Sequence, residues 1–178
     1  MNGKNRVTIC GLLTWLVGSL LAPSWLIAGP QDHVDVPLPL SLSQKAAAAA
    51  LVECEAKGYR VSVAVVDQGG NLKVLIRGDG AGPHTQDSSF KKAYTSASIG
   101  RSTNELAALI TKIPSLQALR DMNDNILILG GGLPIRLGET VVGGIGVGGA
   151  PGADLDENCA KAGLTALQHD MKDISKHK

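Results

Sequence analysis

Residues 61–77, VSVAVVDQGGNLKVLIR, alternate with a period of two on both sides of a glycine-containing turn. Val61, Val63 and Val65 fall on one face, and Ser62, Ala64 and Val66 on the other. After Asp67-Gln68-Gly69-Gly70-Asn71, Leu72, Val74 and Ile76 alternate with Lys73, Leu75 and Arg77. Successive side chains of a strand point to opposite faces, so each half reads as a strand. The short glycine-bearing link folds the two halves into an antiparallel hairpin.

Upstream of the hairpin the period changes to that of a helix. Ser41-Leu42-Ser43-Gln44 has the S-x-x-Q form of a capping box. Ala47, Ala50, Leu51 and Cys54 follow at helical spacing, and Gly58 stops the run. The five-alanine stretch Ala46 to Ala50 suits close packing against a sheet or a partner helix. Downstream, a glycine loop from Gly78 to Pro83 precedes a helix from about Thr85 to Ala97. Ser102-Thr103-Asn104-Glu105 is a second capping box, and Pro114 ends the helix it opens. Asn125 to Leu129 (NILIL), Ile135 to Leu137 and Thr140 to Val147 read as three further strands. Leu155, Cys159 and Leu167 then mark a last helix. The order is α-β-β-α-α-β-β-β-α. It predicts an α/β (α+β) domain with an antiparallel sheet of about five strands flanked by helices.

The N-terminus reads as an address. Lys4 and Arg6 precede Val7 to Leu21, which carries no charge, and small residues follow up to Ala28. This is the form of a secretory signal, residues 1–28, and implies a periplasmic or secreted protein. Residues 29–40 alternate Val and Pro as an extended arm, 41–170 form one domain, and 171–178 a frayed tail. Removing the leader from 178 residues leaves 150, with Lys+Arg falling from 17 to 15 against 16 Asp+Glu. That near-neutral balance argues against a nucleic-acid surface, which needs clustered cations. No membrane attachment is expected after signal cleavage. Cys54 and Cys159 could pair in an oxidising compartment; the alternative of two small buried thiols on helix faces is preferred.

Few motifs carry chemistry. Gly144 to Gly149 (GIGVGG) matches G-x-G-x-x-G after a strand, yet no second parallel strand follows to complete a dinucleotide site. These glycines fit close backbone packing better. Free amides between Gly148 and Ala153 could still bind a carboxylate. No serine lies in a nucleophile elbow, no H-x-x-x-H pair exists, and structural roles suffice for Asp154, Asp156 and Glu157. No catalytic residue is assigned. The segment Arg77 to Tyr94, RGDGAGPHTQDSSFKKAY, says more. A glycine loop lets backbone approach a flat ligand. His84 could hold a metal, with Lys91, Lys92 and Arg77 as cations for its acidic groups. The plainer reading is a loop histidine beside solvated lysines. His33 on the arm is a second candidate.

Several segments together resemble the GlcG/HbpS family: VAVVDQGGNLKVLIRGDGA (63–81), FKKAYTSA (90–97), GGLPI (131–135) and VVGGIGVGGAPGADLDENCAKAGL (141–164). The resemblance runs from about Leu40 to Gln168. It implies a profilin-like α-β sandwich, homo-oligomers, and haem binding or degradation; it carries no iron ligand over, and His84 or His33 stands as the ligand on the residues alone. It also implies a sensor protein as partner for some exported members. Storage, buffering or sensing of haem is the expected role. An enzyme or binder for a small organic acid, using the Gly130 to Pro134 loop and the Gly148 to Ala153 amides, is the alternative. A structural oligomer without cofactor, built on the alanine face, is a third.

Overall fold

The computed structural model describes residues 38–176. The leader, the arm up to residue 37 with His33 in it, and the last two residues lie outside the described residues. The elements are α1 (Leu40–Ala56), β1 (Ser62–Asp67), β2 (Leu72–Arg77), α2 (His84–Ile99), α3 (Thr103–Lys112), β3 (Gly132–Leu137), β4 (Thr140–Gly148) and α4 (Ala153–Lys176), with a 3₁₀ segment Pro114–Asp121 after α3. The strands form one antiparallel sheet in the order β2-β1-β4-β3. Among the described residues no helix is long and apolar enough to cross a membrane.

The period-two reading of the hairpin holds up to Val65 and at Val74 and Ile76, while a bulge after Val65 pairs Val66 with the exposed Leu72. Val63 pairs with Ile76 and Val65 with Val74, and the Asp67 side chain closes the turn by accepting the Asn71 N–H at 2.9 Å. Val61, Val63 and Val65 point into a core shared with α1 and α4. Ala64 and Val66 point the other way, beneath Ala93, Ala97 and Phe90 of α2. The sheet is therefore covered on both sides, by α1 and α4 on one face and α2 on the other.

Two expectations need correction. Asn125–Leu129 runs from a turn to a bend and joins no ladder, so the sheet has four strands among the described residues. Its polar groups are met elsewhere: the Leu127 N–H donates to Thr95 Oγ1 at 2.8 Å, and the Ile126 N–H to Asn123 O at 2.9 Å. Ile126 and Ile128 plug a separate apolar cluster with Leu106 and Ile110. Burial under helices, not pairing, explains this apolar run. Ser41 is also not a cap. α1 starts one residue earlier behind Pro39, whose carbonyl accepts from the Ser43 hydroxyl at 3.1 Å. The second capping box is as read, with the Ser102 side chain accepting from the N–H groups of Asn104 and Glu105.

The glycines of β4 set how close α2 can lie. A Cβ on Gly144 would collide with Ala93 O, on Gly146 with Ser89 O, and on Gly132 of the neighbouring strand with Lys92 O. The helix rests its backbone on the backbone of the sheet, and its inward residues Ser89, Ala93 and Ser96 are correspondingly small and buried. On the other face, Ala46, Ala47 and Ala50 are fully buried, and a Cβ on Gly163 of α4 would come 2.7 Å from Ala46 O. The alanine face is thus used inside the molecule. Here Cys54 and Cys159 are joined in a disulfide, with Cα atoms 5.5 Å apart, in place of two separate thiols. The close α1–α4 contact brings the two positions into bonding range.

Two stability predictions follow from this packing. Gly146→Ala should cost ~1–3 kcal/mol in urea unfolding, as overpacking does, while the exposed Ser98→Ala should stay within ~0.5 kcal/mol. Cys54→Ala/Cys159→Ala, or reduction of the wild type, should cost ~2–5 kcal/mol by freeing the unfolded chain.

Candidate functional site

The start of α2, Leu129 and the loop entering α4 meet at one cavity. It has a volume of about 280 Å³ and is lined by His84, Ser88, Lys92, Leu129, the segment from Gly149 to Ala153, and Asp156. His84 is the first residue of α2 and is exposed. Its ring folds back on the glycine loop ahead of α2, so that a Cβ at Gly82 would come 2.6 Å from the imidazole Cε1. Leu129 is 48% exposed and gives the cavity an apolar lip.

Of the cations expected beside His84, Lys92 lines the same cavity but is 1% exposed. Its ammonium donates to Asp156 Oδ2 at 2.7 Å and to Val147 O at 2.9 Å. The other carboxylate oxygen of Asp156 accepts the Ala150 N–H at 2.9 Å. Gly131, at φ +116°, packs against this pair, where a Cβ would lie 2.7 Å from Asp156 Cβ and 3.0 Å from Lys92 Nζ. Lys91 points elsewhere and pairs with Asp87 at 3.2 Å, one turn back on α2. Arg77 closes the glycine loop by donating from Nε and Nη2 to Ala81 O.

Asp156 was read from sequence only as an acid near a positive helix end. Its burial was legible in spacing, since it lies three residues before Cys159 and four before Ala160, both buried. Lys92 likewise sits three residues after Ser89 on the small, inward face of α2. The amides proposed for an external carboxylate are partly taken by this internal one. Glu157 and Asp154 are also engaged, the former by the Ser102 hydroxyl at 2.8 Å and Lys161 at 2.9 Å, the latter by Asn104 at 3.1 Å. Among the described residues no three His, Cys, Asp or Glu side chains converge, so the cavity offers a metal one imidazole. A larger cavity, about 470 Å³, lies at the other end of α2 between Gly70, Tyr94, Gly100 and Val141. It contains none of the candidate residues, and its volume alone does not outweigh the chemistry gathered around His84.

Burial pushes the Asp156 carboxyl above its ordinary 3.8, outweighing the pull of Lys92 and of the Ala150 and Gly149 N–H groups. The folded protein then keeps a proton that the unfolded chain has lost. This group's contribution to stability therefore falls as pH rises from 3.8 through the folded value, and is level above it. Urea midpoints across that window should show the decline in wild type relative to Lys92→Met/Asp156→Leu, which lacks the group. At neutral pH Asp156→Asn should cost ~3–5 kcal/mol by stranding the Lys92 charge, and the double variant should recover most of it.

The described domain matches the family model for haem-degrading HbpS-like proteins over residues 38–165. A Citrobacter freundii protein, an uncharacterized 15.0 kDa product of the dhaT-dhaS intergenic region, is 38% identical over 100 residues, 53% of this chain and 70% of that one. The crystal structure of HbpS is similar at 45% identity, covering 75% of this chain and 92% of HbpS, with a TM-score of 0.70. ORFY of Klebsiella pneumoniae is similar at 32% identity, covering 73% and 90%, with a TM-score of 0.69. The chain belongs to the HbpS-like family of haem-degrading proteins.

Proposed function

We propose that this chain is an exported haem-binding protein, periplasmic or secreted, that stores, buffers or senses haem at the His84 cavity. The observation that carries the reading is an exposed imidazole at the rim of an open cavity with an apolar lip, in a chain of this family. The residues fit the group. His84 would coordinate the iron, Leu129 and Pro151 would meet the apolar porphyrin edge, and Gly149 and Gly152 would let backbone approach its face. A cavity of about 280 Å³ lies just below the ~300–1,000 Å³ usual for enclosed small-molecule sites, so part of the porphyrin would stay outside it. Haem itself supplies the redox and oxygen chemistry of its iron; the chain binds, orients and tunes it. The organic-acid alternative loses support because Asp156 already occupies the Ala150 N–H. Assembly into homo-oligomers and signalling through a sensor protein belong to the same proposal.

The test is a hemin titration followed at the Soret band, with wild type and His84→Ala. Wild type should saturate with a shifted band. The variant should bind at least about tenfold more weakly, a loss of ~1.4 kcal/mol, with an altered spectrum. An unchanged variant would move the ligand away from His84, and no saturation by wild type would overturn the reading.

A further inference from the structure

Three of the basic groups near the glycine loop are committed to partners inside the protein. Arg77 donates to Ala81 O, Lys91 pairs with Asp87, and Lys92 is buried against Asp156. Arg60, just before β1, is different. It is exposed, and no salt bridge among the described residues includes it. Asp79, the acid on the same loop, does not reach it at ion-pair distance.

Arg60 nevertheless has a defined place. Its side chain lies along Gly80, where a Cβ would come 3.0 Å from Cδ, 3.3 Å from Nε and 3.4 Å from Nη1. Gly80 has φ +72°, so both its backbone and the arginine above it favour glycine. Two residues further on, the His84 imidazole lies against Gly82 in the same manner. Two residues span at most ~7 Å, so the guanidinium and the imidazole flank one short stretch of chain. The Arg60 main chain also backs the cavity wall, since a Cβ on Gly149 would come 2.5 Å from Arg60 O.

We infer that Arg60 is the residue that receives a carboxylate of the ligand held at His84. On the haem reading, on which this assignment rests, that carboxylate is a propionate. A guanidinium presents a planar fork of donors that matches a carboxylate in two parallel hydrogen bonds. Held along Gly80, it loses less freedom on binding than a free surface side chain. The other basic residues near the loop, Lys91, Lys92 and Arg77, each already have a partner within the protein.

The experiment compares hemin with its dimethyl ester, which keeps the iron and ring but masks both carboxylates. Dissociation constants are measured by Soret titration for wild type, Arg60→Ala, Arg60→Gln and Lys91→Ala, with circular dichroism to verify folding. Wild type should prefer hemin over the ester by roughly tenfold, the order expected for a charge-assisted hydrogen bond. Both Arg60 variants should bind hemin about as weakly as wild type binds the ester, and Lys91→Ala should keep the full preference. Retention of the preference by either Arg60 variant, or its loss in Lys91→Ala, would overturn the assignment. Equal wild-type affinity for the two porphyrins would overturn it too, while leaving haem binding intact. Failure of wild type to saturate with either would instead remove the haem reading on which it rests.

Discussion

The Lys92–Asp156 ion pair is the contact on which the arrangement of the candidate site depends. Taking two charges out of water is expensive, and attraction between them offsets that cost only where the remaining donors and acceptors are also met. Here they are met: Val147 O takes a second ammonium proton, and the Ala150 N–H fills the second carboxylate oxygen. One pair thereby binds α2, β4, α4 and the loop between the last two. That loop is a wall of the His84 cavity. A positive charge expected to face a ligand is spent on holding the cavity's shape.

The pair can form because α2 lies so near the sheet. Gly132, Gly144 and Gly146 present no side chains toward it, so the helix settles onto bare backbone. A helix seated at that depth carries Lys92 under the loop and leaves its first residue, His84, at the surface. Two of these glycines, Gly144 and Gly146, open the G-x-G-x-x-G string. In this chain the string describes packing between a helix and a strand, and no phosphate is needed to account for it.

Strand alternation in residues 61–66 was legible because each face of that strand meets its own helix layer. The second capping box was legible because its donors are local. Asn125–Leu129 is not legible as unpaired because apolar content alone does not distinguish a paired strand from an irregular segment under helices. The family was visible in ordered motifs spread over most of the domain. The site was legible only in part. His84 announces itself through its glycine loop, whereas the state of Lys92 depends on Asp156, which is 64 residues away in sequence. Arg60 was missed for a related reason: its neighbour Gly80 comes from the far side of the hairpin, and no spacing rule links the two. The Cys54–Cys159 pairing likewise depends on how closely two distant helices approach.

That pairing gives the molecule an unusual connectivity. The bond between α1 and α4 spans 105 residues and turns everything from Cys54 to Cys159 into a covalent ring. The whole sheet, α2 and α3 lie on that ring, as do Arg60, His84, Lys92 and Asp156. A single backbone cut anywhere within it would open the circle without releasing a fragment, so the two pieces would stay tethered to each other. The part of the domain that carries the candidate site is in effect a cyclic polypeptide, with the first turns of α1 and the last turns of α4 running out from it.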